Sequence, residues 1–377
     1  MNNDVFNPDT QNIENNEENI DNVAKVEEAI EADVYEAEDC PCIETAAFVE
    51  PRFDERAAKS DFSKIGFGYL VFSGATLLIS FVLQIVVMIV SKEFYESHLF
   101  RNLITPISMY LFALPLLIGF FRSVKPQPPV KKRISLGAWM LYLVVGFGVM
   151  YIGAFVSNYL MSIISAIVGY DYINGLETIV GGGSLWVTAI FAVIIAPIGE
   201  ELVFRKLLID RTGKYGCFIS ALLSGIIFGL MHANLFQVVY ATALGFILGY
   251  LYYTTGRIIY TIGIHAVINF VGSIASSLLT RGLEGLEMAT LEGDALVEFF
   301  AEHALQLVGV LLYSAFTYAA MIAAIVLPIV FRKKLKLQKG EIEIPSAKRG
   351  RVIFLNTGMI CMLLFYAFEM ILSLIPS

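Results

Sequence analysis

The chain is predicted to be all-α: a polytopic transmembrane helical bundle of eight or nine spans behind a disordered acidic N-terminal tail. Three observations carry that expectation. Of 377 residues, 57% are hydrophobic and 16% charged, with a mean hydropathy of +0.70; helical membrane proteins show this balance and soluble domains do not. Apolar runs close to the ~20 residues needed to cross a bilayer recur along the chain. Lys and Arg gather in alternate loops between those runs, the asymmetry by which membrane proteins are oriented.

The tail comes first. Residues 1–60 are rich in Asn, Asp and Glu and poor in large apolar side chains, so burial cannot offset the entropy lost on ordering them. Residues 1–56 hold 17 Asp/Glu against 3 Lys/Arg, and the remainder holds 17 against 23. The formal charge of −8 therefore hides an acidic tail on a mildly basic body. Val23 to Ile30 predicts a transient helix. Cys40-Pro41-Cys42 is a short motif whose redox or metal role is the minor alternative to none. The tail reads as a solvated segment, with partner binding or regulation as the lesser alternative and its partner unknown. Four cysteines (Cys40, Cys42, Cys217 and Cys361) are too few and scattered for a disulfide framework or a thiolate zinc site. No cleavable signal peptide is expected, because the first apolar run starts only near Ile65.

Nine runs follow, at about 65–90, 103–121, 134–168, 185–209, 217–232, 235–253, 258–279, 304–331 and 352–375. A cytoplasmic N-terminus puts 22 Lys/Arg inside and only Lys92, Arg101 and Arg281 outside, with Lys25 of the tail set aside. The C-terminus then lies outside, and the location is an integral membrane one, the plasma membrane in a prokaryotic host. The fifth run is short, and the join near Asn234 fits either two spans or one broken excursion. The pairs Gly225/Gly229 and Gly245/Gly249 predict close helix packing.

Polar groups inside these runs are costly to embed, so a use for them is the default expectation. On a helix Glu201 and Arg205 share a face in the favourable order, which leaves Glu200, rotated by about 100°, as the freer carboxylate and the candidate general base. Pro197 cannot donate to the Val193 carbonyl, and the freed carbonyl predicts a kink with room for water beside Glu200. The plain alternative is that both glutamates pair with Arg205 and Lys206 at a helix end. Phe228 and His232 share one helix face, as do His265 and Asn269. Glu200 and His232 each lie roughly 20–24 Å from the turn at Gly213–Gly216, counting ~1.5 Å per residue, and so reach one level. His98 and His303 have no partner spaced for catalysis. No His-Glu-x-x-His, Gly-x-Ser-x-Gly, phosphate loop or dinucleotide fingerprint is present, and no nucleic-acid partner is expected.

Glu-Glu-x-x-x-Arg at 200–205, Phe-x-x-x-His at 228–232 and His-x-x-x-Asn at 265–269 occur in that order on consecutive predicted helices. Together they resemble the CAAX protease and bacteriocin-processing (CPBP, or Abi) family, which includes the type II CAAX prenyl endopeptidases. The resemblance covers about residues 185–279. It implies an intramembrane endopeptidase acting on a membrane-associated peptide or protein within the lipid bilayer. Glu200 would activate water with His232, His265 and Asn269 would stabilise the oxyanion, and Glu201, Arg205 and Phe228 would support them. Either of two chemistries fits: a metal-free glutamate mechanism, or a divalent metal such as zinc on Glu200, His232 and His265 with an open fourth position. A water-filled cavity opening toward the cytoplasm is expected. Two other classes compete. A non-proteolytic scaffold or regulator would keep the polar core for folding, and a proton-coupled transporter would use it as a relay, although paired repeats with broken helices are missing.

Overall fold

The computed structural model describes residues 53–172, 185–280 and 293–375. Every regular element among them is helical, as a chain in lipid requires, since its backbone groups must bond within the segment. The principal helices are α1 (Glu55–Val90), α2 (His98–Phe121), α3 (Leu136–Val168), α4 (residues 185–212), α5 (Cys217–Met231), α6 (Leu235–Thr255), α7 (Ile258–Leu279), α8 (Ala304–Val330) and α9 (Thr357–Leu372). The expected features at Val23–Ile30, Cys40–Cys42 and Arg281 lie outside the described residues.

Helix α1 starts at Glu55 because the Asp54 carboxylate accepts the Arg56 and Ala57 N–H groups at 2.8 and 3.1 Å, an N-cap. The helical body thus begins a few residues before the expected boundary at 60. Among the described residues, six helices (α1–α3 and α6–α8) are long and apolar enough to cross a membrane. A seventh follows if Ser346–Ile353 and α9, bent by 66°, form one span. The chain is an integral membrane protein, but the expected eight or nine spans are not confirmed. Helix α5 has only 15 residues, and α4 carries Glu200, Glu201, Arg205, Lys206, Asp210 and Arg211 in its second half.

Two apolar cores hold the body together. One gathers Phe62, Tyr69, Phe72, Phe204, Phe228 and Tyr366, from α1, α4, α5 and α9. The other gathers Phe147, Leu244, Leu248, Ile264 and Ile268, from α3, α6 and α7. Helices α5 and α6 meet at the predicted glycines: a Cβ on Gly225 would stand 2.6 Å from the Thr242 carbonyl oxygen, and one on Gly245 would stand 2.8 Å from Gly225 Cα. The join at Asn234 is a turn between two helices, with Asn234 Oδ1 accepting the Phe236 N–H at 2.8 Å.

The basic loops are clasped together at one end of the bundle. Lys132 N–H donates to the Thr255 carbonyl at 2.8 Å, Cys217 N–H to Gln338 at 3.0 Å and Ile342 N–H to Lys214 at 2.9 Å. Lys214 Nζ reaches Asp61 of α1 at 2.6 Å, and Lys348 reaches Glu55 at 3.0 Å. The charge pattern of the sequence is therefore a structural one: the loops expected on one side occupy one end.

Candidate active site

Helix α4 is not a regular α-helix. Its turns widen to the π form at Ile190–Ile195 and again at Leu202–Leu207, on either side of the α-helical segment that carries Glu200 and Glu201. Single π turns of this kind often occur at functional sites. The first one ends with Ala196 N–H donating to the Phe191 carbonyl, five residues back. In that register the next donor would be Pro197, which has no N–H, and its orphaned partner is the Ala192 carbonyl. Asn269 Nδ2 of α7 donates to this oxygen at 2.8 Å. The carbonyl freed by Pro197 is therefore Ala192 rather than Val193, and the Asn269 amide serves it.

Behind the glutamates sits His265, 3% exposed. Its Nδ1 is 2.9 Å from Glu201 Oε1 and its Nε2 is 3.5 Å from Glu200 Oε2. Glu201 is fully buried and forms an ion pair with Arg205 Nε at 3.1 Å, as the four-residue spacing predicts. The buried guanidinium also stacks over Phe228, 4.7 Å from the ring centroid, a cation–π contact. Its Nη1 and Nη2 have no hydrogen-bond partner among the described residues. Phe228 meets the His232 and His265 rings edge-on at 4.9 and 5.7 Å, so it sits at the hub of the cluster. The plain pairing alternative therefore holds for Glu201 but not for Glu200. Lys206 pairs with Asp210 instead, at 2.6 Å.

Glu200 keeps about a fifth of its side chain exposed and, with His232, lines a cavity of about 310 Å³. His232 closes α5 and donates Nδ1–H to the Phe228 carbonyl at 2.8 Å, which leaves Nε2 as the acceptor nitrogen. The next residue, Ala233, is the one non-glycine at positive φ among the described residues (φ 47°) and also lines the cavity. The other walls come from the middle of α1, the first half of α2 and the second half of α9. The cavity thus lies in the half of the bundle remote from the clasped basic loops. The sequence put Glu200 and His232 at one level but gave no direction of access.

Sequence reasoning missed several neighbours. The Tyr110 hydroxyl donates to the Ala196 carbonyl at 3.5 Å, and its ring leaves no room for a side chain at Gly199. Tyr69 donates to the Val203 carbonyl at 2.9 Å, and Ser224 to that of Phe204 at 2.9 Å. The Val203 and Phe204 carbonyls belong to the second widened turn of α4, and Ala196 directly follows the first; these turns have no local sequence signature. Glu369 of α9, also on the cavity wall, was legible as a lone acid in an apolar run and was passed over. The three expected metal ligands do not fit the part. Among the described residues no group of three His, Cys, Asp or Glu is arranged to hold a metal ion, and both His265 nitrogens already face carboxylates.

Comparison with known proteins falls on this same region. Residues 182–271 match the family model "Type II CAAX prenyl endopeptidase Rce1-like". Over 77 residues the chain is 39% identical to the "Putative membrane peptidase YdiL" of Bacillus subtilis (strain 168), an alignment spanning 20% of this chain and 32% of that protein. The chain thus spans about a third of the length of the curated relative it matches. No solved structure matches the chain significantly. Residues 182–271, which hold both glutamates, both histidines and Asn269, are thus the part of the chain that is similar to the Rce1-like family.

Proposed function

We propose that this protein is an intramembrane endopeptidase that hydrolyses a peptide bond of a membrane-associated protein or peptide without a metal ion. The observation that carries the reading is the shared cavity: Glu200 and His232 line one wall of it inside a bundle of apolar helices. His265 stands between the two glutamates, and the Glu201–Arg205 pair is fully buried beside them. Likeness to a family of prenyl endopeptidases and to a membrane peptidase points the same way.

In this mechanism a water in the cavity is held between the Glu200 carboxylate and His232 Nε2. Glu200 takes one proton as the oxygen attacks the scissile carbonyl carbon, and the negative charge moves to the carbonyl oxygen. His265 offers its Nε2 side, which faces Glu200 at 3.5 Å, to the oxyanion. Asn269 contributes its second amide hydrogen, the first being held by Ala192. Each such donor is worth roughly 3–4 kcal/mol in well-studied hydrolases. Glu200 then returns its proton to the leaving amine as the tetrahedral intermediate collapses. On this reading the N-terminus lies in the cytoplasm, where the positive-inside pattern of 22 basic residues would put it.

The test is cleavage of membrane peptides by the purified protein in lipid nanodiscs. Glu200→Ala and His232→Ala should each reduce the rate at least a hundredfold. Cleavage by both variants at the wild-type rate overturns the mechanism.

A further inference from the structure

The cavity has a second carboxylate. Glu369, in the last turn of α9, lines the same space as Glu200 and His232. Apart from Glu369 the α9 sequence, Thr-Gly-Met-Ile-Cys-Met-Leu-Leu-Phe-Tyr-Ala-Phe-Glu-Met-Ile-Leu, has no charged residue. No ion pair or side-chain hydrogen bond engages Glu369 among the described residues. Its own turn holds Tyr366, whose hydroxyl is taken up by Ser73 of α1 at 2.7 Å. The cavity lining includes two carboxylates and one imidazole but neither Lys nor Arg. Arg205, the nearest cation to Glu200, is sealed behind Phe228 and committed to Glu201.

A carboxylate embedded among apolar helices is expensive without a counter-charge and usually marks a binding or transfer function. Here the protein supplies no counter-charge, and the carboxylate faces the space where the reaction is proposed to occur. We propose that Glu369 is a specificity-determining residue that receives a positively charged nitrogen of the substrate, an ammonium or guanidinium group, close to the bond that is cut. This rests on the proteolytic reading above and names a feature of its substrate. A sphere of 310 Å³ is about 8 Å across, and an extended chain advances ~3.3 Å per residue; the cation therefore lies within about three residues of the scissile bond. Ser73, Thr76 and Thr105, on the walls facing α9, add neutral oxygens for the remaining N–H donors. An acidic substrate segment would meet two like charges and be rejected, which is specificity by repulsion as well as attraction.

Two measurements on the full-length protein in nanodiscs test this. The first uses fluorogenic peptides with Lys, Arg or Gln placed in turn at each position within three residues of the cleaved bond, the N-terminus free or acetylated. Wild type should favour the best cationic peptide over its neutral counterpart by about ten- to hundredfold in kcat/KM, the range of a charged hydrogen bond. Glu369→Gln should bring that ratio close to one, Glu369→Asp should retain most of it, and Glu369→Lys should turn the preference toward peptides carrying Glu. A preference that follows the side chain assigns a Lys or Arg, and one abolished by acetylation assigns a terminal amine. A ratio that survives in Glu369→Gln overturns the proposal.

The second measurement needs no turnover. Fluorescence anisotropy reads the binding of the same peptides to Glu200→Gln protein, with and without Glu369→Gln. The cationic preference should appear in Kd and vanish with Glu369→Gln, and equal affinity for cationic and neutral peptides overturns the proposal. Charge-selective binding with no cleavage of any peptide would sink the proteolytic reading and leave Glu369 in place. Cleavage that depends on Glu200 but ignores peptide charge would do the reverse.

Discussion

His265 Nδ1 lies 2.9 Å from Glu201 Oε1, between two residues 64 positions apart in sequence, and this contact fastens α7 to α4 at the candidate site. Because Glu201 also neutralises the buried Arg205, the two adjacent glutamates have different duties. Glu201→Gln should leave a guanidinium buried without its counter-charge and destabilise the protein by about 3–5 kcal/mol. It should lower the apparent Tm and the yield of monodisperse protein from detergent. Glu200→Gln should keep both near wild type while abolishing cleavage. Measuring Tm and rate on the two variants side by side separates the duties.

Asn269 offers a sharper test through Pro197. Asn269→Ala strands the Ala192 carbonyl and should cost about 1–3 kcal/mol. Pro197→Ala restores a backbone N–H in the register that ends at Ala196 and can serve that carbonyl in place of the side chain. The double variant should therefore be more stable than Asn269→Ala alone, a coupling that a four-protein denaturation cycle reads directly. If Asn269 also donates to the oxyanion, the double variant regains stability without regaining rate.

Chelators should leave the activity alone. The potential ligands are not grouped to hold an ion, so prolonged incubation with 1,10-phenanthroline or EDTA should not change the rate. Elemental analysis of active protein should find well under one equivalent of zinc per chain. Inhibition reversed by added zinc would return the chemistry to a metal mechanism.

The turn after His232 carries strain in a single residue. Ala233 at φ 47° occupies the left-handed region that glycine adopts without penalty. Ala233→Gly should be neutral or stabilising by up to about 1 kcal/mol. Ala233→Val should be clearly destabilising, since a β-branched residue is a conformational outlier there. Thermal unfolding followed by a thiol-reactive dye on buried Cys217 would rank the three proteins.

How legible all this was in the sequence depends on the range of the physics. The Glu201–Arg205 pair is set by one helical turn, and the α5–α6 contact at Gly225 and Gly245 by residue volume; both can be read from spacing alone. The common level of Glu200 and His232 follows from counting residues back to the Gly213–Gly216 turn. The gathering of basic loops follows from charge alone. The widened turns of α4 were not readable. Their carbonyls are served by Tyr69, Ser224 and Asn269 from other helices, contacts between 20 and 134 residues apart in sequence. The 66° bend before α9 was hidden for a similar reason: Asn356 caps α9 by accepting the Met359 N–H at 3.1 Å, inside a run that hydropathy alone treats as continuous. Glu369 was visible as a residue, but its direction depended on that bend.

The clasp of the basic loops has a mechanical consequence. Where Lys132, Lys214, Gln338 and Ile342 knit four chain segments to one another and to the foot of α1, the helices cannot part without breaking several hydrogen bonds at once. The cavity lies away from that knitted end, among the middle of α1, the first half of α2 and the second half of α9. Loosening the knitted end should therefore weaken peptide binding in the cavity, although no residue there lines it.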